Sequence, residues 1–302
     1  MMRWLRRCGR MAALLCGLGM GAVDAATPRD DLQQDDRGRP LVMAQAPQRI
    51  VSLLPSLTET VCALGACAKL VGIDRYSNWP ESLAQTLPIL GGSLDPNIEA
   101  IVALKPDVVL LSNAGRIAQR LDALGVRTVV LDSHTMADVY RVLQRVGVLL
   151  GLPAETAERE WLRVQAGVDA AAQSLPAAVR GSRVYFEVSR GPYVAGPTSF
   201  IGELLSRVGA GNVVPAELGP FPQVSPEFVV RARPQVILMG NHSMQVAHTY
   251  PGWATLEAVQ HQRVCAFNET ESGILVRPGP RMDEAARIIA RCLIEKAPHR
   301  AP

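Results

Sequence analysis

The chain has little of what marks several common classes of protein. Aromatic residues make up 5% of its 302 residues, and basic and acidic side chains nearly balance, at 31 and 28. Beyond residue 25, no apolar stretch approaches the roughly 20 residues that a membrane-spanning helix needs. No basic stripe of the kind that binds nucleic acid is present either. We therefore expect neither a membrane span nor a nucleic-acid-binding surface in the mature chain.

Motifs of catalysis are also missing. The sequence has no GxSxG elbow, no HExxH pair, no Walker-type loop, no CxxC pair, and no GxGxxG after a strand. An enzyme would have to use isolated polar residues near strand ends, such as Ser52, Asp74 or His134. Because no nucleophile, base and orienting group stand out together, we expect that the protein is not an enzyme.

The first 26 residues have the features of an export signal. Arginines are followed by an apolar run, and small residues offer a cleavage site near Ala25/Ala26. Leu15 is bulky where a lipoprotein signal would have a small residue ahead of Cys16, so we expect a soluble protein exported to the periplasm. Removing the signal leaves acidic and basic side chains equal in number.

Four cysteines remain after the predicted signal, at positions 62, 67, 265 and 292. An oxidising compartment favours disulfides, and four cysteines allow three complete pairings. Cys62 with Cys67 and Cys265 with Cys292 are the natural pairs. The alternative is four buried thiols that act as small apolar residues, and the sequence leaves both readings open.

Short apolar blocks alternate with helical segments along most of the chain, which is typical of parallel α/β folds. Residues 136–174 differ, because they keep helical spacing with one interruption at Pro153 and contain no strand. We therefore predict two similar α/β lobes with parallel-type sheets, over residues 27–135 and 176–302. A long helical connector over 136–175 joins them, and a ligand cleft lies between them.

Two segments of the chain repeat the same order of residues. Asn97 opens a short helix with Glu99 in its first turn, and Ser225 opens another with Glu227. In each, a proline follows seven residues after the glutamate, directly before an apolar strand. The repeat predicts two similar lobes and a partner that contacts both. Alternatively, each glutamate only offsets the helix macrodipole, an effect of roughly 0.3–1 kcal/mol.

These features resemble those of helical-backbone periplasmic binding proteins of the iron and B12 type, which deliver cobalamin, heme or ferric siderophores to ABC importers. The resemblance extends over residues 49–296. It is carried by five segments of the sequence, at 49–59, 92–109, 193–196, 200–205 and 209–212. It implies a substrate-binding protein whose two lobes enclose the ligand.

The loops are most similar to those of cobalamin-binding members of the family. The segment from Tyr76 to Pro80 resembles their tyrosine loop, and Phe221 stands where they carry a ligand-stacking tryptophan. Three features depart from their pattern. A first-lobe tryptophan is replaced by Gly-Gly-Ser-Leu at 91–94, Val208 stands where Cys292 would have its disulfide partner, and residues 268–274 replace an aspartate loop.

The resemblance implies a set of ligand-binding residues. Four aromatic side chains in loops are expected to hold a large flat ligand: Tyr76, Trp79, Tyr193 and Phe221. Arg281 is expected to bind a carboxylate or phosphate of the ligand, with Arg75 and Arg190 beside the cleft. The alternative is that some of the aromatics cap the core and that Arg281 is a structural residue.

The resemblance also implies the partners of the protein. Glu99 and Glu227 are expected to pair with arginines on the transmembrane subunits of an ABC importer, and the protein itself is expected to be a monomer. We predict no metal site and no cofactor, although His134, His242, His248 or His261 could ligate a metal carried by the ligand. A corrinoid is the predicted ligand. Heme or a ferric siderophore is the alternative, and an exported hydrolytic enzyme is a further one.

Overall fold

The computed structural model of the protein describes residues 31–112, 115–247 and 250–298. The export signal predicted over residues 1–26, its cleavage site near Ala25/Ala26, and His248 lie outside the described residues. Among the described residues, no helix is both long and apolar enough to cross a membrane.

The first half of the chain folds around four parallel strands in the order β2-β1-β3-β4. The strands are β1 (Ile50–Ser52), β2 (Leu70–Ile73), β3 (Val108–Leu111) and β4 (Thr128–Val130). Every residue of β1, β3 and β4 is buried. Near-continuous apolar strands are expected where helices cover both faces of a parallel sheet.

The second half repeats this arrangement. Its strands are β5 (Arg183–Ser189), β6 (Tyr193–Val194), β7 (Gly211–Asn212), β8 (Val236–Gly240) and β9 (Val264–Phe267). The strands β7, β5, β8 and β9 pair in parallel, in the same order as β2, β1, β3 and β4, while the short β6 adds an antiparallel edge. The predicted α/β fold with two similar sheets is confirmed.

Helices flank both sheets. The first half contains α1 (Pro55–Ala63), α2 (Glu81–Thr86), α3 (Ile98–Ala103) and α4 (Arg116–Ala123), and the two helices that follow are α5 (Met136–Leu149) and α6 (Ala154–Ser174). The second half contains α7 (Phe200–Val208), α8 (Pro226–Ala232), α9 (Asn241–Ala247), α10 (Glu257–Gln260), α11 (Glu269–Leu275) and α12 (Met282–Lys296). Five short 3-10 helices, at 31–33, 67–69, 177–179, 216–218 and 253–255, complete the described structure.

The segment predicted as a connector consists of two helices, which are separated at the predicted interruption, Pro153. Thr135 begins α5 with a capping box, in which its hydroxyl accepts from the backbone of Asp138 and the Asp138 carboxylate accepts from Thr135. Pro153 precedes α6, and the two helices pack against each other. The first, α5, contacts α1 and also α7, and α6 contacts α7 and α12 of the second half. The exact lobe boundaries remain a prediction.

One apolar cluster runs through both halves of the molecule. It includes buried side chains from α1, α5, α6, α7 and α12, among them Leu57, Val142, Val168, Leu204 and Leu293. Packed cores are dense and deform little, and sliding one half past the other would open voids in this cluster. We therefore infer that the two halves move little relative to each other.

Both natural cysteine pairs form disulfides. Cys265 in β9 is bonded to Cys292 in α12, so the closing helix is attached to the edge of the second sheet. Cys62 in α1 is bonded to Cys67, five residues later. Cys292 thus has a partner in Cys265, although position 208 carries valine.

Loss of the two disulfides should have unequal effects on stability. The Cys265–Cys292 bond closes a separation of 27 residues and the Cys62–Cys67 bond one of 5. The chain-entropy model then gives about 3.5 kcal/mol for the longer loop and about 2 kcal/mol for the shorter one. Urea unfolding of Cys265→Ala/Cys292→Ala and Cys62→Ala/Cys67→Ala would measure both. Equal losses would contradict the expectation.

Candidate ligand cleft

A cavity of about 640 Å³ lies between the two halves. From the first half it is lined by Ser93 and by residues that follow strands: Leu54, Pro55 and Ser56 after β1, Arg75, Tyr76 and Asn78 after β2, and Asp132 and Ser133 after β4. From the second half, Val188 of β5, residues of α11 and the segment Val276–Pro278 contribute. Ligands of open parallel sheets bind outside the carboxyl ends of the strands, and this cavity has that position.

Of the predicted ligand residues, Tyr76 lies on the wall of the cavity. Its side chain is half exposed, at 58%. The guanidinium of Arg75 lies 5.9 Å from the Tyr76 ring centroid and pairs with Asp95 at 2.7 Å. Arg75 also lines the cavity. An aromatic ring and a cation therefore face the space where a ligand would lie.

Trp79 and Arg281 do not line this cavity but pack against each other. The Arg281 guanidinium lies 5.0 Å from the centroid of the Trp79 ring. It donates to Glu284 at 2.7 and 2.8 Å, and it lies 3.6 Å from Glu59. Burial is the largest single effect on the pKa of Arg281 and lowers it. The hydrogen bonds and charges of Glu284 and Glu59 together outweigh burial, so that the pKa is raised. In this structure Arg281 has ion-pair partners, and its role in ligand binding remains a prediction.

Tyr193 and Phe221 also lie outside the lining of the cavity. Tyr193 is exposed in β6 and is bridged to Gln223. Phe221 is partly buried, with its ring centroid 6.2 Å from that of Phe200, and it packs against the apolar cluster. The four predicted aromatics are thus not gathered on one wall. Contact of Tyr193 and Phe221 with a ligand remains a prediction.

A buried ion pair between the halves was not anticipated from the sequence. Arg277, between α11 and α12, donates to Glu59 Oε1 of α1 at 2.9 Å, to Asn78 Oδ1 at 2.8 Å and to the Tyr76 carbonyl at 2.7 Å. Glu59 is 1% exposed. Burial raises the pKa of Glu59, and the charge of Arg277 opposes that rise. Arg277 therefore joins the second half to the Tyr76 loop of the first.

The sequence contains a signal for this pair. Glu59 lies between buried apolar positions of α1, and a buried carboxylate requires a cation or several hydrogen-bond donors. The sequence does not show which cation pairs with Glu59, because Arg277 lies far from Glu59 along the chain.

Buried polar residues hold the Tyr76 loop in place through hydrogen bonds. Asp74 is fully buried and accepts hydrogen bonds from the Ser77 hydroxyl and from the Tyr76 amide at 2.9 Å. The Thr58 hydroxyl lies 2.8 Å from that of Ser77 and donates to that of Ser52 at 2.9 Å. Burial raises the pKa of Asp74. Ser52 and Asp74, the candidates for an enzyme, thus have structural partners, and exposed His134 lies in neither of their networks.

The two repeated glutamates lie in equivalent helices and are exposed. Glu99 is in the first turn of α3, where Asn97 Oδ1 accepts from the Ala100 amide at 2.9 Å. Glu227 is in the first turn of α8, where Ser225 Oγ accepts from the Phe228 amide. Backbone and Ser225 hydrogen bonds lower the pKa of Glu227, so its carboxylate is charged at neutral pH.

The ends of these two helices match as well. Lys105 and Arg233, each directly before the proline, have φ angles of 46° and 45°. A proline disfavours the α conformation in the residue ahead of it, and here that residue turns left-handed rather than extended. Arg49, before β1, donates to the Leu104 carbonyl at 2.7 Å, and Arg183 of β5 donates to the Ala232 carbonyl. The repeat therefore includes side-chain caps as well as the backbone.

Histidines are scattered over the surface of the described structure. His134, His242 and His261 are exposed. No group of three or more His, Cys, Asp or Glu side chains that could hold a metal ion occurs among the described residues.

Comparison with known proteins gives the family. Residues 50–269 match the sequence profile of periplasmic binding proteins. The chain belongs to this family. The vitamin B12-binding protein of Yersinia pestis is 31% identical over 75% of this chain and 80% of its own length. An uncharacterised ABC transporter substrate-binding lipoprotein of Bacillus subtilis is 26% identical over 95% of this chain and 97% of its own.

A solved structure supports the fold independently. A periplasmic heme-binding protein from Pseudomonas aeruginosa superposes with a TM-score of 0.72, over 84% of this chain and 95% of that one, at 24% identity. At this identity the likeness concerns the fold alone. The two-lobed architecture and the family predicted from the sequence are confirmed, and the family is one of substrate-binding components of transport.

Loss of Arg277 should destabilise the protein more than loss of an exposed arginine. Arg277→Met leaves the Glu59 carboxylate buried without its main partner, which costs about 3 kcal/mol. Arg75→Met breaks an exposed pair and should cost less than about 1 kcal/mol. Urea unfolding measures both, and Glu59→Leu/Arg277→Met should recover part of the loss. Equal losses for the two single variants would show that the buried pair has no special role.

Proposed function

We propose that the protein is an exported substrate-binding component of an ABC importer that captures a corrinoid of the cobalamin type. The observation that carries the importer part is the pair of exposed glutamates, Glu99 and Glu227, at equivalent positions of two repeated helices. A partner with two similar subunits can contact both carboxylates at once, and charged rims guide encounter more than they add affinity.

Two observations support a corrinoid. Relatives at 31% identity are vitamin B12-binding proteins. The cavity also presents the Tyr76 ring, and large flat ligands are held by aromatic faces with few charges. We propose Tyr76 as the first contact with the ligand, with Trp79, Tyr193, Phe221 and Arg281 at the margins of a ligand larger than the cavity.

Heme is a second candidate that one observation favours. Tyr76 is exposed and lines the cavity, and a tyrosine oxygen can serve as an axial ligand of heme iron. In that case the hydroxyl, rather than the face of the ring, would be essential.

Replacement of Tyr76 should separate the two ligands. We expect saturable one-to-one quenching of intrinsic fluorescence by cyanocobalamin, and not by hemin or a ferric siderophore. Tyr76→Ala should weaken cyanocobalamin about tenfold, or about 1.4 kcal/mol, whereas Tyr76→Phe keeps the ring and should bind as before. Tyr140→Phe is a matched control, because Tyr140 stacks on Trp161 at a centroid distance of 5.4 Å.

The opposite pattern would change the assignment. Saturation by hemin, lost in Tyr76→Phe, would make heme the ligand and the phenol its iron ligand. Binding of none of the three compounds would refute the ligand class and restore the enzyme alternative.

Reversal of the two glutamate charges should stop delivery and leave capture intact. We expect Glu99→Lys/Glu227→Lys to abolish cyanocobalamin uptake by cells that depend on this protein, with an unchanged Kd of the purified protein. Glu158→Lys/Glu295→Lys changes the charge equally at two other exposed helical positions and should retain uptake. A parallel fall in affinity, or equal loss in the control, would contradict the docking role.

A further inference from the structure

A second pocket, of about 260 Å³, adjoins the cleft on the side of the second half. It lies at the carboxyl ends of β5 and β8 and shares Val188, Ser272 and Val276 with the lining of the larger cavity. Because these three residues line both cavities, the two cavities are direct neighbours.

A buried carboxylate that pairs with no cation among the described residues lies in the lining of this pocket. Glu187 of β5 is 2% exposed, and its Oε2 accepts a hydrogen bond from the Tyr185 phenol at 2.9 Å. Its Oε1 accepts no hydrogen bond of ordinary geometry among the described residues, although the Ser243 hydroxyl of the same pocket is close enough to act on the carboxylate. Arg190 lines the same pocket but donates to the His242 carbonyl, and no ion pair to Glu187 occurs in the described part of the chain.

The unpaired oxygen of Glu187 lowers the stability of the fold, which suggests that this carboxylate has a function. A buried polar atom that lacks a partner is destabilising, and a buried carboxylate is more so. Burial raises the pKa of Glu187, against the lowering effect of the Tyr185 and Ser243 hydroxyls. Groups perturbed in this way, in a cleft, are candidates for contact with a ligand. The sequence hints at it, since Glu187 interrupts the apolar strand from Val184 to Val188.

We propose that Glu187 anchors a subsite for a ligand arm that ends in an N–H donor, such as a primary carboxamide, and that it disfavours an arm ending in a carboxylate. An amide N–H can bond to the free Oε1, whereas a carboxylate would place oxygen against oxygen. This inference rests on the proposed function and deepens it. Corrinoids carry carboxamide arms around their ring and heme carries propionates, so the subsite selects between the two ligand classes.

The test compares ligands that differ only in the arm. The affinities of cyanocobalamin and of its monocarboxylic acids, in which one amide is hydrolysed, are measured on the full mature protein by fluorescence titration. Wild-type protein should bind at least one monocarboxylic acid on the order of tenfold more weakly than cyanocobalamin, the effect of one lost hydrogen bond beside a buried charge. Glu187→Gln should shrink that ratio, because a glutamine can donate to a carboxylate.

Two further variants keep the result interpretable. Tyr185→Phe removes the hydroxyl that holds the Glu187 carboxylate and should also reduce the discrimination. Glu295→Gln, an exposed position of α12, should leave every ratio unchanged. Circular dichroism and the Tm of each ligand-free variant show whether it is folded, and Glu187→Gln should unfold at a temperature no lower than wild type because it removes a buried charge.

The outcomes separate this inference from the proposed ligand. Equal binding of all the acids and cyanocobalamin, or an unchanged ratio in Glu187→Gln, would refute the subsite and leave the corrinoid assignment standing. If only hemin binds, the corrinoid assignment fails and the subsite is tested with hemin against its bis-amide. A preference for the bis-amide that Glu187→Gln reduces would then support the subsite alone, and binding of no probe would refute both.

Discussion

The need of one buried carboxylate for a cation governs the geometry of the cleft. Glu59 is placed inside the first half by α1, and Arg277 of the second half supplies the charge that makes this burial tolerable. The same guanidinium holds the carbonyl of Tyr76 and the side chain of Asn78. One ion pair therefore contributes both to the contact between the halves and to the position of the loop that presents Tyr76 to the cavity.

The fold followed from local patterns, whereas the site depends on distant partners. The sequence predicts helix caps such as Asn97 and Ser225, and it predicts the apolar strands that follow a proline. Each of these signals lies within a few residues of the element that it predicts. The sequence did not predict the pairing of Arg281 with Trp79 and Glu284, because a long side chain can reach several neighbours and only the folded structure shows which of them it contacts. Glu59 and Arg277 come together only after both halves have folded, so spacing along the chain does not reveal them.

The cavity presents one aromatic ring, that of Tyr76, and its two arginines already have ion-pair partners. Arg277 forms an ion pair with Glu59, and Arg75 forms one with Asp95. Glu187 differs from them, because it is buried in the neighbouring pocket and has no ion pair in the described structure; like Glu59, it has one oxygen without a hydrogen-bond partner there. A ligand held by ring faces alone would slide within the cleft, and a directional bond to one arm would fix its orientation.

The apolar cluster shared by the two halves has a consequence for the rate of uptake. If the halves barely move, the empty and the loaded protein present Glu99 and Glu227 at nearly the same separation. The importer then meets both forms as competitors for one docking surface. Uptake would follow the fraction of the protein that carries cargo, and a cell that produced a large excess of it when cargo is scarce would slow its own import.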